Sequence, residues 1–85
     1  MEIVYHSKAL EDVKYWRKSG QKQIQQRIAA LLLSIQETPF EGIGKPEQLK
    51  HDWTGTWSRR INHEHRMVYG ITNDELHIYS LKDHY

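Results

Sequence analysis

Eighty-five residues carry 12 Lys and Arg against 11 Asp and Glu, a net charge of +1, with 38% hydrophobic and 27% charged residues and no cysteine. That length leaves room for one domain, 1–85, because chains divide into separate cores only well beyond about 200 residues. The lack of cysteine excludes disulfides and thiolate metal sites; with no apolar run near the ~20 residues that span a bilayer and no export leader at Met1-Glu2-Ile3-Val4, the chain reads as cytoplasmic.

Glu2 to Tyr5 is a short β-prone run. Ser7 then stands where an N-cap belongs, ahead of Leu10, Val13 and Trp16 at helical spacing, which predicts a first helix. Gly20 sits where that helix should stop. Ile24, Ile28, Leu31, Leu32 and Ile35 form the apolar stripe of a second helix, with Lys22, Gln25 and Gln26 toward water. Pro39 ends it near Thr38, and the glycines and prolines from Phe40 to Pro46 predict a loop. Trp57 to Ile61, His65 to Ile71 and Leu76 to Leu81 are β-prone and are separated by polar turns, predicting two antiparallel hairpins. The order β, α, α, then strands predicts an α+β domain: two N-terminal helices packed on one face of a twisted, mainly antiparallel sheet whose other face stays partly open.

The two-residue period of a strand puts Met67, Tyr69 and Ile71 on the core side and turns Arg66, Val68 and Gly70 the other way. A three-residue loop centred on His63 sets Arg60 directly across from Arg66, whereas a four-residue loop sends the two arginines to opposite faces. Like charges placed opposite each other destabilise a sheet, so such a pair points to an anionic visitor, and phosphate is the natural one. The charge distribution agrees. From Lys45 to Arg66, the cations Lys45, Lys50, Arg59, Arg60 and Arg66 outnumber Glu47, Asp52 and Glu64 by two, while from Gly70 onward acidic residues prevail by the same margin. Positive potential confined to one segment suits docking one phosphate rather than gripping a long duplex. Arg59 and Arg60 are read either as an exposed charged pair at a sheet edge or as phosphate ligands. Lys8, Lys14, Arg17, Lys18 and Lys22 on the helices are further candidates for nucleic-acid contact by charge. Trp16, Trp53 and Trp57 read as packing residues. His63 and His65 lie in a turn without carboxylate or thiolate ligands at a recognised spacing, so no metal is expected.

The run Thr38-Pro39-Phe40-Glu41-Gly42-Ile43-Gly44-Lys45-Pro46-Glu47-Gln48-Leu49-Lys50-His51, followed by Gly55-Thr56-Trp57-Ser58-Arg59-Arg60-Ile61 and His65-Arg66-Met67-Val68-Tyr69, resembles the YoeB (Txe/YoeB) toxins of the RelE-like superfamily. The likeness extends from Tyr15-Trp16 to His84-Tyr85 and so covers nearly the whole chain. It implies a RelE-like (microbial RNase-like) domain from a type II toxin-antitoxin system. Such a toxin enters the ribosomal A site, cleaves mRNA there without a cofactor and is silenced by a YefM-type antitoxin. It also places the family's active site on Glu47, Lys50, Arg60, Arg66, His84 and Tyr85; Lys45 and Arg59 join the phosphate-binding set by charge. Met67 and the polar strand His77-Ile78-Tyr79-Ser80 depart from the family pattern outside the site.

The residue types fit that chemistry on their own terms. RNA carries its nucleophile in the 2′-hydroxyl beside the scissile phosphate, so a base, cationic donors and an acid suffice. Glu47 is assigned as base, Arg66 with Arg60 and Lys50 as the phosphate clamp, His84 as acid, and Tyr85 as a positioning or stacking group, giving a 2′,3′-cyclic phosphate. Carboxyl and imidazole groups with ordinary pKa values near 4.3 and 6.5 are weak in these roles, so an mRNA already bent by the ribosome would supply the missing orientation. Two other functions share the fold: a non-enzymatic toxin acting on a protein target, and an antitoxin-dependent corepressor on operator DNA. The thin core of so short a chain leaves homodimerisation open.

Overall fold

The computed structural model describes residues 1–50 and 53–83. Strand β1 (Glu2–Tyr5) leads into helix α1 (Ser7–Ser19) and helix α2 (Lys22–Glu37). A two-residue strand β2 (Glu47–Gln48) precedes β3 (Trp57–Arg60), β4 (Arg66–Thr72) and β5 (Glu75–Ser80). The sheet order is β1-β5-β4-β3-β2, with β1 parallel to β5 and every other pair antiparallel. The α+β class is therefore as expected. Two elements went unforeseen: β2, too short to show a period, and the parallel pairing of the first strand with the last.

Helix α1 differs from its sequence reading in two ways. His6, in extended backbone, is the N-cap and makes no side-chain capping bond, so Ser7 is the first helical residue rather than the cap. The buried face is Ala9, Asp12 and Trp16, while Leu10 is 49% exposed. Val13 packs beside that face as its spacing suggests, and Asp12 occupies a core-facing position. Its carboxylate accepts the Leu81 N–H (2.9 Å) and the Lys8 ammonium (2.6 Å), which offsets the cost of burying a charge. Gly20 ends the helix in the left-handed region (φ +69°), donating its N–H to Arg17 O.

Helix α2 follows its predicted stripe, with Ile24, Leu31 and Ile35 buried and Ile28 and Leu32 packed beside them. They meet Met67 and Tyr69 of β4, Leu76 and Ile78 of β5, and Ile61 and Leu81 in one core. The opposite sheet face is only partly open. Val68 and Gly70 are buried there, and a side chain on Gly70 would touch Tyr79 Cε2 at 3.4 Å.

At the end of α2 the core contains a cation. Arg59 is fully buried on β3, on the helix side of the sheet opposite Met67. Its Nη1 donates to Ser34 Oγ (2.7 Å) and Ile43 O (3.1 Å), its Nη2 to Thr38 O (2.8 Å) and Glu41 O (2.6 Å), and its Nε to the Tyr69 hydroxyl (3.1 Å). Tyr69 in turn donates to Pro39 O (2.6 Å). Burial pushes the Tyr69 phenol above its ordinary pKa, outweighing the opposite pull of Arg59, so it keeps the proton this chain of bonds needs. A helix C-terminus presents unpaired carbonyls and a partial negative charge, and the guanidinium answers both. The loop after α2 wraps around it so closely that a side chain at Gly42 (φ +115°) would collide with Ser34 Oγ.

Replacing Arg59 with Met should therefore cost about 3–5 kcal/mol, since it strands several inward-facing carbonyls at once. Arg59→Lys should recover little of it, because one ammonium cannot span that fork of acceptors. Urea unfolding of the purified variants measures both values.

Candidate active site

Three neighbouring strands set the geometry. In the β2–β3 pair Glu47 is opposite Ser58, and in the β3–β4 pair Arg60 is opposite Arg66. Ser58 and Arg60 are two residues apart on one strand and point to the same face, so Glu47, Arg60 and Arg66 all project from the side away from the helices. Arg60 and Arg66, directly opposed, start about 4.5–5.5 Å apart, and Glu47 and Arg60, diagonal neighbours, about 7–8 Å, while Arg66 stands one strand further from Glu47.

Asn62 decides between the two registers that the sequence left open. Its Oδ1 accepts the N–H groups of Glu64 (2.9 Å) and His65 (2.7 Å), and Ile61 N bonds His65 O (3.0 Å), closing a tight loop around His63. That loop aligns Arg60 with Arg66. It also holds Arg66, whose Nη1 donates to Asn62 O (2.9 Å) and His65 O (3.2 Å), fixing one edge of a half-buried guanidinium. The Arg60 backbone is anchored on both sides: its N–H donates to Gly44 O (2.7 Å) and its carbonyl accepts Arg27 Nη2 (3.4 Å). Among the described residues, the side chains of Glu47, Lys45, Lys50 and Arg60 are exposed and make no ion pair.

The other expected site residues fall differently. Lys45 (φ +50°) and Lys50 flank β2, one on each side of Glu47. Arg59 fits neither reading offered for it, exposed edge pair or phosphate ligand, because strand alternation turns it from Arg60 into the core, where its donors face carbonyls. His84 and Tyr85 lie outside the described residues. Arg27 was missed; it stands three residues after Ile24 and four before Leu31, and a lone cation on an apolar helix face was the signal that could have found it. Of the helix cations proposed by charge, Lys8 is engaged by Asp12 and Asp83. His63 is exposed, while His65 is half-buried with its ring edge-on to Trp16 (4.9 Å between centroids).

The family model for the YoeB-like toxin of bacterial type II toxin-antitoxin systems matches residues 5–85. The chain belongs to the YoeB toxin family. It is 44% identical to Toxin YoeB of Escherichia coli K12 over 85 residues, the full length of both chains. Among solved structures, the YoeB/ParE toxin from Agrobacterium tumefaciens superposes with a TM-score of 0.96 at 36% identity, covering all of both chains. YoeB in the heterotetrameric YoeB-YefM complex from Staphylococcus aureus gives 0.90 at 45% identity, covering 100% of this chain and 98% of that one, and a YoeB dimer from the same organism gives 0.91. The fold is thus that of a RelE-like toxin of a type II toxin-antitoxin system, and the expected YoeB membership and α+β architecture both hold.

For this YoeB-family chain the paired arginines carry a stability cost. Arg60→Gln removes an exposed like-charge pairing and should raise stability by ~0.5 kcal/mol at low salt, an effect that fades as salt is added. The same substitution should weaken retention on heparin. Thermal melts at two salt concentrations, run beside the chromatography, check this trade.

Proposed function

We propose that the protein is a ribosome-dependent mRNA endoribonuclease that halts translation by cutting mRNA in the ribosomal A site. The observation that carries this reading is the projection of Glu47, Arg60 and Arg66 from one face of three adjacent strands. A carboxylate beside two guanidinium groups is what an internal attack on a phosphodiester calls for. Glu47 takes the 2′-hydroxyl proton as the 2′-oxygen bonds to phosphorus. Arg66 and Arg60, with Lys50 beside them, hold the phosphoryl oxygens as charge builds. The P–O5′ bond breaks, His84 donates a proton to the leaving oxygen, and Tyr85 positions or stacks on a nucleotide. The products are a 2′,3′-cyclic phosphate and a free 5′-hydroxyl, with nucleophile, base and acid all accounted for without a cofactor.

The anchoring of Arg66 on its own hairpin favours catalysis over simple charge attraction, because a preset donor loses little entropy when charge develops on the phosphate. A net charge of only +1 is too small to gather free RNA, which fits a substrate presented by the ribosome. The partners follow from this reading: mRNA, the ribosome, an antitoxin of the YefM type, operator DNA reached through the antitoxin complex, and a second copy of the chain. The site of action is the cytoplasm.

Arg66→Ala should lower mRNA cleavage on programmed ribosomes by at least about 100-fold while leaving the melting temperature nearly unchanged. Glu47→Gln should do much the same, and a 2′-deoxy nucleotide at the scissile position should block the reaction entirely. Equal growth arrest by wild type and Arg66→Ala would refute the enzyme and favour a toxin that works by binding.

A further inference from the structure

Residues 81–83 follow β5 without regular secondary structure, yet they are held by an unusual density of polar contacts. Leu81 donates its N–H to Asp12 Oδ2 (2.9 Å) and accepts the Trp16 indole N–H on its carbonyl (2.8 Å). Lys82 O accepts the Ser80 hydroxyl (2.9 Å). Asp83 donates its N–H to His65 Nδ1 (2.9 Å), and its carbonyl accepts the Arg66 N–H (3.0 Å). Its carboxylate pairs with Lys8 at 3.3 Å, the same ammonium that holds Asp12. The Asp83 backbone is in the left-handed region (φ +79°), a strained conformation for a residue with a side chain, which persists only where the surroundings impose it.

Two of these acceptors do more than pack. Asp12 is a carboxylate buried on the core face of α1, where an apolar residue would pack without needing compensation. His65 must keep Nδ1 unprotonated to accept from Asp83, so its tautomer is tied to the path of the backbone. Both spend their polar atoms on the segment that passes beside Arg66.

We propose that Asp12 and His65 are positioning residues for the cleavage reaction: they fix residues 81–83 against α1 and the Arg66 strand, and so hold Arg66, through the Asp83 carbonyl that accepts its backbone N–H, where its guanidinium meets the phosphate. This rests on the endoribonuclease reading above. Orientation is where such a clamp acts, since displacing a reacting group by about 1 Å can cost 100-fold in rate. Lys8 locks the arrangement. Its bond and charge hold the Asp83 carboxyl below its usual pKa, and although partial burial works against the ammonium, the Asp12 and Asp83 contacts keep Lys8 above its own. A depressed carboxyl loses its contribution only as pH falls below about 4, and a raised ammonium only as pH rises beyond about 10, so the lock is intact wherever cleavage would be assayed.

The test is a comparison of His65→Leu with His65→Asn, reading kcat and KM for mRNA cleavage on programmed ribosomes beside melting temperature. Leu fills the space but cannot accept the Asp83 N–H, whereas the Asn Oδ1 stands close to where Nδ1 did. His65→Leu should lower kcat by about 10- to 100-fold with KM within twofold, and His65→Asn should return kcat to within about threefold of wild type. Wild-type kcat in His65→Leu, or equal loss in both variants, overturns the proposal. Should His65→Leu fail to fold, Lys8→Met decides, because that side chain is 42% exposed and its loss removes an ion pair from both Asp12 and Asp83 without emptying the core: a fall in kcat of threefold or more at constant KM supports the clamp, and an unchanged kcat rejects it. Arg66→Ala in the same assay separates the two levels. If it cuts normally the endoribonuclease site itself is wrong, and if it is dead while His65→Leu is normal only the clamp is.

Discussion

Arg59 is the constraint around which the functional half of the molecule is arranged. Five of its bonds join the last turn of α2, the loop that follows and β4, and no carboxylate is among their acceptors. A buried cation satisfied by carbonyls tolerates little displacement, because each acceptor lost leaves a desolvated group unpaired. The loop it gathers continues through Gly44, whose carbonyl receives the Arg60 N–H, into β2 and Glu47. The buried cation thus orders the backbone bearing Glu47 and Arg60, residues of the proposed site.

The sheet keeps two kinds of charge apart by the simplest available means, the alternation of side chains along a strand. Arg59 and Arg60 are chemically identical neighbours, one with zero exposure and the other at the surface. The first has its charge met by fixed carbonyl dipoles and contributes to stability. The second faces Arg66 across the ladder, exposed, where we propose that it meets phosphate. Like charges that oppose one another on a sheet cost the fold something, which makes the pair a candidate anion site.

The chain brings in its site residues from distant stretches of sequence. Glu47 comes on a two-residue strand that exists only because β3 pairs with it, and Arg66 on a hairpin closed by Asn62. The segment 81–83 is fastened by groups from α1 and from the β3–β4 turn. Nothing in the local propensity of residues 81–83 calls for their path. Tertiary contacts impose it, including the left-handed backbone at Asp83.

Much of this was legible beforehand. The stripe of α2, the stop at Gly20, the loop after Pro39 and the three long strands are written in local chemistry, because apolar period and turn residues act over a few neighbours. On α1, Val13 and Trp16 do face the core but Leu10 does not, and a buried Asp12 was not foreseen, since it is acceptable only with Lys8 and Leu81 to answer it, and the latter lies far along the chain. Pattern likewise assigned the cluster of cations to a phosphate without telling Arg59 from Arg60, and it left the register of their hairpin undecided. By itself the sequence determined which segments form helices and strands and which residue types the chemistry can use. Only the tertiary structure decided which arginine is interior, which is presented, and how Glu47 and Arg66 come to share a face, because burial and strand register are properties of neighbours in space rather than along the chain.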